Sequence, residues 1–234
     1  MKRRLRTLLI AIPLILLIAV AGFIMWANNP LPPSAEALAA LQSDAAVTVS
    51  TENGWMVFTP TESSPSISFI FYPGGRVDAR AYAPQVRAIA AEGYLAVIVP
   101  MPLNLAFFDA SAADRVRAVF PTLSNWAIGG HSLGGAMAAR YVQSQPAAVE
   151  GLVLWASFSD VDLSSLNLAA TSIYGNLDAL ALPQSIETSC ELLPADTQFV
   201  RIEGGNHSQF GWYGLQLVHQ QPKVTGSNTY FRRL

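Results

Sequence analysis

The sequence of 234 residues predicts an α/β protein with a mostly parallel central sheet, helices on both faces and one membrane-spanning helix in front of it. Three observations lead there. From Val47 onward, short apolar runs of strand type alternate with stretches of helical composition, the pattern of parallel strands joined by crossover helices. At residues 125–141, NWAIGGHSLGGAMAARY, a strand run passes into a helix run through a serine flanked by glycines. Before residue 28, an uncharged apolar run follows a cluster of basic residues.

That N-terminal run extends from Thr7 to Ala27, long enough to cross a hydrocarbon core as a helix. Lys2, Arg3, Arg4 and Arg6 precede it, and such a cluster favours the cytoplasmic side, sending the remainder outward. The competing reading is a cleaved signal peptide, for which Ala19-Val20-Ala21 offers a small-x-small site. The length of the run favours an uncleaved anchor over residues 1–27, with secretion after cleavage as the alternative. Residues 28–46 read as a linker: NNPLPPS is rich in turn formers, and AEALAALQS has helical composition.

The domain expected over residues 47–234 starts with a hairpin, VTVS and GWMVFTP, followed by the buried strand SISFIFY ending at Pro73. Ala79 to Glu92 reads as a helix, then YLAVIVP as a strand and Ala112 to Phe120 as a helix. After the serine turn and its helix come the strands GLVLWAS, TSIYG and TQFVRIE, with a helix near Pro183 to Leu193 before the last. There is no internal repeat and no insertion large enough for a cap domain.

Charged residues make up 13% of the chain and apolar ones 51%, so a packed core is expected rather than disorder. The net charge of -2 gives no electrostatic footprint for nucleic acid. Without the four basic residues of the anchor, 10 basic and 16 acidic side chains remain, about -6, which argues against a second, electrostatic contact with membrane. Cys190 is alone, so no intramolecular disulfide is possible. No His-Glu-x-x-His, cysteine cluster or carboxylate-rich loop suggests a metal, and the glycines around His131 do not fit a dinucleotide fingerprint. No cofactor is expected.

Ser132 has Gly130 and Gly134 two residues away on either side, the spacing of a sharp strand-to-helix turn. Such a turn pushes the hydroxyl out at the strand's C-terminal end, beside the free N–H groups that open a helix. A serine is a poor nucleophile near neutral pH unless a base takes its proton, and three histidines are present. His131 is held inside the turn. His219 lies in LQLVHQQP, a late stretch that reads as surface or packing. His207, in GGNHSQFG directly after a strand, is the candidate general base.

GGHSLGGAMAA resembles the α/β-hydrolase superfamily. FYPGGRVDARAYAP, YLAVIVPMPLNLAFF, IYGNLDAL and GGNHSQFGWYG, in that order, look like its small lidless members, described as α/β-hydrolase family 5. The resemblance runs from about residue 66 to residue 213. It implies the order serine, acid, histidine. It also implies Asp178, in YGNLDAL, as the acid that steadies the His207 imidazolium, with Asp160 and Asp162 on an adjacent loop as alternatives. Glu203 stands too close to His207 on the same strand end. The oxyanion hole is expected from the backbone N–H of Leu133 and from the loop Pro73-Gly74-Gly75-Arg76, where either Gly74 or Gly75 can donate, Gly75 being favoured.

The implied function is a serine hydrolase acting on a small-molecule ester or thioester through an acyl-enzyme on Ser132, of carboxylesterase or thioesterase type. An acyltransferase using the same acyl-enzyme, or a hydrolase-like binding protein without catalysis, fits the same pattern. Substrate identity and oligomeric state are not written in the sequence. MPLNLAFF, WASFSD, Trp212 and Tyr213 stand near the expected mouth as candidates for an acyl pocket or for core, and Arg76 reads as a solvated surface arginine.

Overall fold

Two short strands with a tight turn open the domain. β1 (Val47–Glu52) and β2 (Trp55–Pro60) pair antiparallel through Asn53 and Gly54, whose φ angles of 51° and 83° suit a two-residue hairpin. The computed structural model describes residues 2–62 and 64–214, with side chains from residue 8 onward. His219 and the rest of the expected domain beyond residue 214 lie outside the described residues.

β3 (Ser68–Tyr72), β4 (Leu95–Ile98), β5 (Trp126–His131), β6 (Gly151–Trp155), β7 (Ala169–Gly175) and β8 (Gln198–Ile202) complete an eight-stranded sheet in the order β1-β2-β4-β3-β5-β6-β7-β8. All pairs from β4 to β8 are parallel, while β2 runs antiparallel to β4. The chain goes from β3 to β4 on one side and then returns to β5 on the other. Such a reversal of strand order leaves a crevice at the strands' C-terminal ends, where ligands of open α/β sheets bind.

Successive residues of a strand point to opposite faces, and β3 buries all five of its side chains. Ile70 and Tyr72 enter a core with Ile128 and Leu154 of the sheet, closed by α4 (Ala112–Val119) and α5 (Leu133–Ser144). Phe69 and Phe71 enter a second core on the other face, with Ala96, Trp155 and Ile173, closed by α3 (Ala83–Ala91) and the 3₁₀ turn Ala79–Tyr82. α6 (Pro183–Thr188) and a 3₁₀ turn, Ser189–Leu192, connect β7 to β8.

In front of the domain stands α1 (Lys2–Ala27). Its segment Leu8–Ala27 has a mean hydropathy of 3.0 and stands largely exposed, with only Ala27 at its end buried against the domain. Residues 28–46 lie against the domain. Leu31 bridges to Val77, the Ser34 N–H donates to the Trp212 carbonyl at 2.7 Å, and α2 (Ala35–Ala39) buries Ala37 completely. Ser34 also caps α2, its Oγ accepting from the Ala37 N–H at 3.3 Å. Arg87 of α3 donates to the carbonyls of Ala40 and Gln42 and pairs with Asp44.

Candidate active site

The turn from β5 to α5 is set by backbone crowding. A Cβ on Gly130 would stand 2.5 Å from the Tyr72 carbonyl oxygen, and one on Gly134 only 2.1 Å from the same atom, so α5 can enter beside the end of β3 only without side chains there. Ser132 absorbs the bend with φ 51° and ψ -120°, a conformation that L residues adopt only when the surroundings enforce it. Its N–H donates to Trp155 at 2.9 Å, and its carbonyl accepts from Ser157 Oγ at 2.7 Å and from the Ala136 N–H at 3.1 Å. The half-buried side chain is left at the C-terminal end of β5, at the mouth of α5.

His207 and Asp178 arrive from the next loops along the sheet. Asp178 follows β7, where the N–H groups of Leu180 and Ala181 donate to its Oδ1 at 2.8 and 2.9 Å. Its Oδ2 accepts from His207 Nδ1 at 2.8 Å, with the two side chains 0% and 2% exposed. That contact fixes Nδ1 as the protonated nitrogen and leaves Nε2 with its lone pair. His207 opens the 3₁₀ turn His207–Phe210, which Asn206 and Gln209 hold through a reciprocal capping box. Among the described residues Ser132 Oγ makes no hydrogen bond to His207. Such contacts are often long in ligand-free enzymes and tighten with substrate.

The two carboxylates expected as alternatives, and the rejected Glu203, have partners elsewhere. Asp160 pairs at the surface with Arg140, whose Nε lies 3.1 Å from both carboxylate oxygens. Asp162 accepts from Ser164, and the exposed Glu203 is shared between Asn176 and Arg201.

The two glycines after β3 differ in their partners. The Gly74 N–H donates to Tyr82 Oη at 3.0 Å, so it is not free for an oxyanion. Gly75 faces α5: a Cβ there would lie 3.2 Å from a terminal methyl of Leu133 and 3.6 Å from one of Leu105. Among the described residues the Gly75 N–H makes no hydrogen bond, and the N–H of Leu133, at the first position of α5, is one that the helix itself leaves unpaired.

Tyr82 carries a part that no sequence pattern signalled. Its Oη accepts from Gly74 and lies 2.8 Å from His131 Nδ1, its outlet for a donated proton, which puts the imidazole proton of His131 on Nε2. Burial holds the Tyr82 phenol well above its ordinary range. Burial, followed by the nearby His207, keeps the His131 pKa well below 6.5, so this imidazole is neutral. His131 is stacked on Phe210 at 5.8 Å, and its ring centre lies 4.5 Å from that of His207. Tyr213 completes the packing with its hydroxyl 3.4 Å from the His207 carbonyl.

The residues considered for a pocket divide between core and surface. Met101, Leu105 and Trp155 are buried, whereas Phe107, Phe108 and Phe158 are exposed. Arg76 is no free surface cation. It donates to the carbonyls of Trp26 at 3.0 Å and Asn29 at 2.7 Å, with its guanidinium 4.3 Å over the Trp26 ring. An apolar hollow of about 620 Å³ lies between α3 and the far face of the sheet, lined by residues such as Phe69, Ile89, Val153, Trp155 and Ile173. Among the described residues, no three His, Cys, Asp or Glu side chains gather as metal ligands would.

No curated protein matches the chain in sequence. Among solved structures it is similar to an alpha/beta hydrolase enzyme from the metagenome of sediments of the lagoon of Mar Chica, Morocco. The TM-score is 0.57 at 17% identity, over 69% of this chain and 90% of that one. A predicted CIB-like hydrolase from Thermoplasma acidophilum gives a TM-score of 0.54 at 16% identity, over 70% of this chain and 91% of that one. At such identities these likenesses speak for the fold alone. The model of the alpha/beta hydrolase family matches residues 68–229, from β3 through the Ser132 turn and past the His207 loop, and the chain belongs to that family.

Proposed function

We propose that this hydrolase is a serine enzyme that cleaves an ester or thioester through an acyl-enzyme on Ser132. The observation that carries the reading is the buried His207–Asp178 contact of 2.8 Å, delivered by two loops at the same end of the sheet as the strained Ser132. A histidine so held accepts a proton at Nε2 and, once charged, is steadied by the carboxylate.

The chemistry follows from these positions. Ser132 Oγ attacks the acyl carbonyl while His207 Nε2 takes the hydroxyl proton. The carbonyl oxygen, now an anion, accepts from the N–H groups of Leu133 and Gly75. As the intermediate collapses, the bond to the alcohol or thiol breaks and the leaving group takes the proton from Nε2. Water then gives a proton to Nε2 and attacks the acyl-enzyme, and the second collapse releases the acid and restores Ser132.

The N-terminal helix serves in this reading as an uncleaved anchor over residues 1–27, with the hydrolase outside the cytoplasm. The basic residues before the helix, its spanning length and its bare apolar surface support that reading. Residues 28–46 join it to the catalytic domain proposed for 47–234.

The test is labelling of the full chain with a fluorophosphonate probe. Wild type should react at Ser132, Ser132→Ala should not react, and His207→Ala should react about a hundredfold more slowly, the low end of a general base's contribution. Undiminished labelling of Ser132→Ala would remove Ser132 as the nucleophile.

A further inference from the structure

The end of the apolar helix is fastened to the loop beside the nucleophile. Arg76, next in sequence to Gly75, holds the carbonyls of Trp26 and Asn29, and Asn104 Nδ2 donates to the Ala27 carbonyl at 2.9 Å. Phe23, one turn before the helix ends, meets Phe108 with ring centres 6.3 Å apart. Adjacent residues are only about 4 Å apart along the backbone. The point where the chain leaves the hydrocarbon is therefore the point where it touches the proposed oxyanion loop.

Exposed apolar side chains gather at this end of the sheet, beside the Asp78–Arg80 and Asp109–Arg115 pairs. Phe107 and Phe108 are 49% and 47% exposed on a turn, residues 106–108, that packs against α5. Leu177 and Leu180 are 42% and 45% exposed on the loop that carries Asp178, and Phe158 is exposed after β6. All of them follow C-terminal ends of parallel strands, the end of the sheet at which Ser132 stands. Trp26 under the Arg76 guanidinium is a pair suited to a membrane–water interface. Outside its anchor the chain has a net charge of about -6, so the contact offered is apolar rather than electrostatic.

We infer that the mouth of this site lies on the bilayer that holds its own helix, and that the substrate is a long-chain acyl ester carried by a membrane lipid. The headgroup layer is only about 5 to 7 Å thick on each side, so a site fastened to the helix end sits within reach of the ester bonds of the lipids. The acyl chain reaches Ser132 sideways from the bilayer, without the whole lipid crossing water. This inference rests on the serine-hydrolase reading and names the substrate class of that same site.

The experiment uses the full chain in phosphatidylcholine vesicles, offered 4-nitrophenyl acetate in the water and a fluorogenic diacyl ester in the bilayer. Wild type should cleave both. Phe107→Ser combined with Phe108→Ser should lose about tenfold or more on the bilayer ester and change less than about twofold on the acetate, because removing apolar contact weakens only the interfacial step. Cleavage of the acetate without the bilayer ester, or equal loss on both, overturns the inference and leaves the serine hydrolase intact. Failure to cleave either overturns both. A nitroxide on Phe108→Cys, in a Cys190→Ser background, gives a reading independent of activity. Relaxation by dissolved oxygen above that by a water-soluble nickel chelate supports the inference, and the reverse overturns it.

Discussion

Tyr82 Oη lies 2.8 Å from His131 Nδ1 while it accepts the Gly74 N–H at 3.0 Å, so a single hydroxyl ties the loop after β3 to the residue next to Ser132. The two loops proposed to present donors to one oxyanion are thus held in register by a buried hydroxyl. Tyr82→Phe keeps the ring in its cavity and removes only the oxygen. Two lost hydrogen bonds at about 1 kcal/mol each should lower the melting temperature by about 4 to 8 °C. kcat should fall about tenfold with KM nearly unchanged, since the misplaced donor matters most when charge has developed. Steady-state kinetics on a soluble ester, with a melting curve, check both. A melting shift without loss of kcat would make Tyr82 structural only.

Asp178 and Asp160 are both aspartates near the C-terminal ends of strands, but only Asp178 reaches the histidine. Asp178→Asn should lower kcat by about 10⁴-fold, because an amide facing His207 Nδ1 favours the wrong tautomer. Asp160→Asn gives up an exposed, solvent-screened pair with Arg140 and should leave kcat within about twofold. Parallel kinetics on the two variants decide it, and the reverse ranking would move the acid to the earlier loop.

Burial keeps the His131 pKa well below 6.5 in the folded protein, whereas an unfolded chain leaves it near 6.5. The unfolded state therefore binds more protons below that pH. The stability held by neutral His131 is complete above pH 6.5 and declines as the medium is acidified toward the depressed folded value. His131→Gln retains an acceptor for Tyr82 and removes the titration. Its melting temperature should fall less than that of wild type between pH 7 and pH 5. Calorimetric melting across that range is the measurement, and parallel curves for the two proteins would contradict it.

Local pattern carried most of the fold. The five-residue β3 lies inside the run SISFIFY, and helix α5 begins directly after Ser132, because alternation of apolar runs and a glycine-flanked turn are properties of neighbouring residues. The helix expected over Ala79 to Glu92 is a 3₁₀ turn followed by α3, a change of winding near Pro84 that composition does not encode. At the site, His207 and Asp178 were legible as residue types on suitable loops, and their contact joins positions 29 apart.

What could not be read depends on partners distant in sequence. Gly74 and Gly75 look alike until Tyr82 takes the N–H of one of them. Arg76 reads as a solvated cation until its guanidinium meets Trp26, 50 residues away. Residues 28–46, rich in proline and turn formers, read as a tether, yet their backbone polar groups are bonded to the domain. No local periodicity records such pairings.

The segment around Leu31 and Ser34 stitches two flanks of the site together. Leu31 exchanges backbone hydrogen bonds with Arg76 and Asp78 beside the glycine loop, and Ser34 donates to Trp212 beyond the histidine. A shortened protein starting at Val47 would leave the Arg76 and Trp212 carbonyls without these donors and uncover the packing site of Ala37. A version of the protein that keeps these pairings therefore begins upstream of the sheet, before Leu31.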